Sequence, residues 1–334
     1  MPTYRNEAAG LETVTPGVTC QEQFHRRWNH LHDPHVRALA WLLDAPDLLD
    51  PLAAQWQGRI ATYVDADLAP WLNALEQEPQ KLQDLHDYIG SLPSTRLGLY
   101  AEKLLAFYFE RRQLLVAHSV QVRASKNDTV GEFDFLLRLN GALVHWEFAS
   151  KFYLLATSGA SPQADDFIGR DMADSLGSKM QKLLHQQLAL SLHPAAQAHL
   201  SEPIVAAQAL VKGWLFYPEE PLSLPPALGV SANACRGYWS SLSALQLDPA
   251  AMYWILPRQS WLAPAKVAPG DMLTPIDARV ALSQHFANDA GPLLLATLRL
   301  EDGSGLETSR GFVVPDDWAA RAAARRRLRT GAPA

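Results

Sequence analysis

Three residues in the segment GEFDFLLRLNGALVHWEFASKFYLL, positions 131–155, have the types and spacing for metal-assisted phosphodiester chemistry: Asp134, Glu147 and Lys151. Both carboxylates lie inside apolar runs, where a charge is expensive to bury unless it binds something. The two runs are joined at Asn140-Gly141, the dipeptide of a tight hairpin turn. Asp134 is six residues before Asn140 and Glu147 six after Gly141, so a hairpin closed there sets them roughly opposite. Cross-strand partners stand ~5 Å apart at Cβ, and two carboxylates that close repel unless a cation lies between them. A hard divalent cation, Mg2+ or Mn2+, prefers such oxygen ligands. It would polarise a phosphoryl oxygen and lower the pKa of a bound water. Lys151 shares a strand face with Glu147 and would orient that water or stabilise developing negative charge. Alternatively, both carboxylates are solvent-face charges of an antiparallel sheet, exposed and apart, paired with Arg138 or Lys151.

The elements that must position these groups follow from periodicity. Apolar residues at helical spacing predict helices over 35–46, 67–77, 79–92 and 96–112. Strands are predicted over 114–123, 132–139, 142–155 and 211–218, with residues 125–131 as a turn and 156–170 as a polar loop. An amphipathic helix is predicted over 174–192, with Asp171 or Asp174 as its cap. Its polar residues Lys179, Lys182 and Gln186 (or Gln187) could face a phosphate backbone. A mixed sheet with helices packed on it results. The chain divides into a helical region at 1–95, a core at 96–218 and an α+β extension at 219–334 packed on that core, with a proline-rich boundary near 218–226.

The order α-β-β-β-α-β, with GEFDF on the second strand and VHWEF on the third, resembles the PD-(D/E)XK nuclease superfamily. That resemblance covers residues 96–218 and implies an α/β, restriction-endonuclease-like core, metal ligands at Asp134 and Glu147, and an accessory acid at Glu102 on the preceding helix. The superfamily lysine lies two residues after the glutamate, where this chain has Ala149. Lys151 comes two residues later, ~6.6 Å along the strand, near the reach of a lysine side chain. Lys179 could serve instead, or the site could bind metal weakly without hydrolysis. VRALAWLL, RLGLYAEKLLAF, HWEFASKFYL, LPRQSWLAP and RGFVVPDDW also resemble a bacterial family known only as domain-of-unknown-function family 1853, grouped with the nucleases by pattern and without an assigned substrate.

Composition narrows the function classes. The 334 residues are 48% hydrophobic and 19% charged, enough to bury a core. A net charge of −6 argues against bulk coating of nucleic acid but leaves room for a local basic groove. No apolar run is long enough for a transmembrane helix, and the start lacks the pattern of a signal peptide. Cys20 and Cys235 follow no metal-ligand spacing, and their scarcity fits a reducing cytoplasm. His25, His30, His32 and His35 read as exposed faces of short helices. Trp239, Trp254, Trp261 and Trp318 read as core, and the basic run at 321–329 as a solvated helix end. The expectation is a metal-dependent phosphodiesterase acting on DNA or RNA. A catalytically inactive nuclease-like fold that binds nucleic acid or protein is the alternative.

Overall fold

Five helices precede the first strand: α1 (Cys20–Trp28), α2 (Pro34–Asp44), α3 (Leu68–Gln77), α4 (Pro79–Ile89) and α5 (Leu97–Arg111). Local chemistry sets their ends. Thr19 and Glu22 form a capping box at α1, and Asp33 accepts the His35 and Val36 N–H groups with Pro34 opening α2. The computed structural model describes residues 18–90, 96–125, 128–156, 161–197, 200, 202–218, 224–288 and 291–330. Among them no helix is long and apolar enough to cross a membrane.

Strands β1 (Leu115–Ser125), β2 (Asp128–Leu139), β3 (Ala142–Leu155) and β4 (Phe167–Gly169) lead to α6 (Leu176–Lys182). Helix α7 (Pro194–Gln197) and strands β5 (Ala206–Tyr217), β6 (Cys235–Ser241), β7 (Met252–Ile255) and β8 (Lys266–Val267) follow. The chain ends with α8 (Pro275–Phe286), β9 (Leu293–Glu301), β10 (Ser304–Val314) and α9 (Trp318–Thr330). The protein is a mixed α/β structure, and the ten described strands form one sheet. Its main path runs β1-β2-β3-β5-β6-β10-β9-β7, with β4 on β3 and β8 on β10. Pairing is parallel from β3 through β5 and β6 to β10 and antiparallel elsewhere.

Both faces of the central strands are covered. On β5, Leu210, Trp214 and Phe216 join the cluster that contains α1–α5, while Ala209, Val211, Leu215 and Tyr217 join a second cluster with Leu176 and Leu183. Such double burial is what parallel pairing demands. The β3–β5 approach admits only glycine opposite Lys151, since a Cβ on Gly213 would stand 2.0 Å from the Lys151 carbonyl oxygen.

Several expectations are corrected. Residues 128–131 extend β2 rather than turning, because β1 continues to pair with them. The loop at 156–170 contains β4. The helix expected over 174–192 ends at Lys182, passes into a π turn at Leu183–Gln187 and closes with a 3-10 turn at Leu190–Leu192. Residues 224–330 do not merely pack on the core: β6 hydrogen-bonds to β5 and extends its sheet. Part of the expected boundary, 219–223, lies outside the described residues. Cys20 and Cys235 are brought to 5.5 Å at Cα and joined as a disulfide between α1 and β6. His25 and His35 are half-buried, not exposed, bonding to the Glu307 carbonyl and the Tyr100 hydroxyl. Trp261 and Trp318 are buried as expected, and Trp239 and Trp254 pack against the core.

One ion pair ties these layers together. Arg310 and Glu307 on β10 have fully buried side chains, with Nε–Oε1 at 2.6 Å and Nη2–Oε2 at 2.8 Å. The guanidinium donates to the Trp261 and Ala263 carbonyls and lies 4.1 Å from the Trp214 ring centroid. Glu307 also accepts from the Ala265 N–H and from Gln21 of α1. Arg310→Met is therefore expected to cost about 3–5 kcal/mol, because it leaves a buried carboxylate without its countercharge. Urea unfolding reads this out, and a loss under 1 kcal/mol would show that the pair is dispensable.

Candidate functional site

The β2–β3 ladder runs from Leu139↔Ala142 to Phe135↔Trp146. The turn at its end is Asn140-Gly141, both at positive φ, as the sequence predicts. One step beyond the last pair, Asp134 and Glu147 reach facing positions. There the Asp134 side chain takes over the ladder, its Oδ2 accepting the Phe148 N–H at 2.9 Å. Glu147 is fully buried on β3 and Asp134 half-buried on β2, close enough that each carboxyl shifts the other's pKa. Exposed, separated carboxylates are thereby ruled out.

Burial, then the charge of Glu147, pushes the Asp134 carboxyl up to about 7 against the Phe148 N–H and Lys179. Burial pushes Glu147 up to about 7 as well, opposed by Lys179 and by hydrogen bonds from Asp134 and Gln187. Glu102, projecting from α5, rises to about 7 through burial and then through Asp134, Glu132 and Glu147. Three carboxyl groups from α5, β2 and β3 thus share one electrostatic environment.

The cation comes from α6. Burial and then Lys151 lower the Lys179 pKa, while Asp134 and Glu147 raise it. Lys179 Nζ donates to Gln187 Oε1 at 2.8 Å, and Gln187 Nε2 donates to Glu147 Oε2. Gln187 lies in the π turn, a helix irregularity frequent at functional sites. Lys151 points elsewhere: its Nζ is 2.6 Å from Asp174 Oδ2, which also accepts from the Tyr153 hydroxyl. Asp174 is consequently not the helix cap; Ser175 caps α6. Ala149, at the usual lysine position, is buried with Tyr153 and Leu155. Lys182 and Gln186 are exposed on the surface beyond Lys179.

Sequence reasoning missed His145. Its ring is fully buried, with Nε2 2.7 Å from Glu147 Oε1. The two-residue spacing on one strand was the available signal. Gln187 appeared only as a second choice to Gln186 for contacting phosphate, because a regular helix has no extra residue to turn it inward.

Among the described residues no three His, Cys, Asp or Glu side chains form a complete cation cage. Mg2+ rarely needs one: it is commonly held by one or two carboxylates, waters and substrate phosphate. Asp134 and Glu147, two facing carboxyl groups whose mutual repulsion a cation would relieve, fit that requirement.

The raised carboxyls have a thermodynamic consequence in the metal-free protein. Below about pH 4 they are protonated in both states. Between about pH 4 and about pH 7 the folded protein keeps protons that the unfolded chain releases, so stability falls as pH rises through that window. Replacing the pair by Asp134→Asn/Glu147→Gln is expected to remove much of this slope. Thermal midpoints of wild type and variant across the window should diverge; parallel curves would mean the pair titrates normally.

No curated protein and no solved structure matches this chain. A family model does match, over residues 37–314, with the description "Domain of unknown function (DUF1853)". Spanning most of the sequence, from α2 to the end of β10, that match makes the chain a member of the DUF1853 family.

Proposed function

We propose that this protein is a divalent-metal-dependent phosphodiesterase, a nuclease acting on DNA or RNA, built on a restriction-endonuclease-like core. The observation that carries this reading is the facing pair of half-buried Asp134 and fully buried Glu147, electrostatically coupled to both Glu102 and Lys179. Elements α5, β1, β2, β3, α6 and β5 also follow in the order α-β-β-β-α-β, with the short β4 and α7 inserted.

Asp134 and Glu147 hold Mg2+ or Mn2+, and Glu102 supports the site from α5. Such a cation would supply Lewis acidity at a phosphoryl oxygen and at a bound water. Lys179 supplies the ammonium beside the carboxylates, the place Ala149 leaves without one, and stabilises charge developing on the phosphoryl group. Lys151 sits behind it, tied to Asp174. Exposed Lys182 and Gln186 extend the same helix surface toward the phosphate backbone. Action on nucleic acid suits a cytoplasmic protein, whereas the Cys20–Cys235 disulfide suits an oxidising compartment.

Manganese titration by calorimetry, run beside cleavage of labelled DNA and RNA, tests the proposal. Wild type should bind and cleave, and Asp134→Ala/Glu147→Ala should do neither. Lys179→Met should keep Mn2+ binding and lose cleavage on the order of 10²-fold, with a smaller loss in Lys151→Met. Binding without cleavage in wild type would mark an inactive fold that retains only a binding role, and no binding would sink the metal site.

A further inference from the structure

Glu147 is gripped from both sides. Its Oε2 accepts from Gln187, and its Oε1 lies 2.7 Å from Nε2 of His145, two residues earlier on β3. Neither His145 nor Glu147 has any side-chain exposure. The Nδ1 atom of His145 is buried and meets no hydrogen-bond partner, and the ring stands edge-on to Phe133 with centroids 4.7 Å apart. These facts fix where the imidazole proton must be. A proton on Nδ1 would be a buried donor without an acceptor, whereas a proton on Nε2 has the carboxylate to receive it. An orphaned acceptor nitrogen is the lesser cost, since orphaned N–H groups are the rarer case in folded proteins.

We propose that His145 is a positioning residue: as the neutral Nε2–H tautomer it donates to Glu147 Oε1 and, with Gln187 on Oε2, aims the carboxylate at the cation site shared with Asp134. A carboxylate has about four lone-pair directions. With one donor on each oxygen, lone pairs remain for a metal. Both donors are neutral, so the grip does not cancel the negative charge that attracts the cation. A lysine or arginine at position 145 would orient Glu147 equally well and neutralise it. Metal sites use this logic widely, in that partners of the ligand set its direction and basicity.

This inference rests on the phosphodiesterase reading for its cation, so the test has one arm without metal. In metal-free wild type with labelled histidine, at about pH 8, long-range nitrogen–proton NMR reads the His145 tautomer. The proton is expected on Nε2, and a proton on Nδ1 overturns the proposal. In the second arm, Mn2+ affinity is measured for His145→Leu and His145→Gln. Loss of the donor in His145→Leu should weaken Mn2+ on the order of 10–100-fold. The glutamine amide can place an N–H near the lost Nε2 and should restore affinity to within about threefold. Equal affinity in wild type and His145→Leu overturns the positioning role even if the tautomer is right. Should wild type take up no Mn2+, the phosphodiesterase reading fails, while an Nε2–H proton still upholds the grip on Glu147.

Discussion

Half-buried Asp134 and fully buried Glu147 face each other across β2 and β3, and two carboxylates so placed repel unless a proton or a cation stands between them. Much of the surrounding structure answers that constraint. The strand ladder ends at Phe135↔Trp146, so the Asp134 side chain can accept a main-chain N–H in place of a carbonyl. Helix α5 adds a third carboxyl group, which sharpens the shortage of positive charge. Helix α6 brings Lys179, and the π turn behind it swings Gln187 into contact with Glu147.

The rigidity to hold such a site comes from double burial. Strands β3 and β5 are covered on both faces, and the Lys151 carbonyl passes so close to Gly213 that no side chain fits between them. Away from the site, charge is managed differently. Arg310 and Glu307 cancel each other completely within a dry core, and the surplus donors of the guanidinium are absorbed by carbonyls of residues 261 and 263. That pair is closed to any ligand. The carboxyl pair instead has Lys179 nearby with its ammonium bonded to Gln187, a difference that separates a structural ion pair from a candidate reactive one.

Much of this was legible in the sequence. Asn140-Gly141 fixed the hairpin turn, and counting outward from it placed Asp134 against Glu147, because a strand period of two leaves little freedom of register. Four of the five N-terminal helices, α2 to α5, were readable from apolar spacing for the same kind of local reason. Three things were hidden. The π turn adds a residue to a helix whose polar and apolar pattern remains helical, so Gln187 and Gln186 could not be told apart. The ion pair of Lys151 with Asp174 joins positions 23 apart through a loop whose path no local pattern encodes. The joining of β6 to β5 is parallel and non-local, and a proline-rich stretch between them looks like a domain boundary whether or not the sheet continues beyond it.

The reach of Gln21 to Glu307 spans 286 positions in the chain. Ribosomes extend a polypeptide at roughly 5–20 residues per second, so α1 emerges on the order of 15–60 s before the strand it docks against exists. Throughout that interval Phe24 and Trp28, both destined for the core, have no final neighbours on β10. The sheet centre suffers the same delay, since β6 must wait for β10 to close its second edge. Vectorial synthesis therefore leaves the apolar face of α1 uncovered while most of the chain is made.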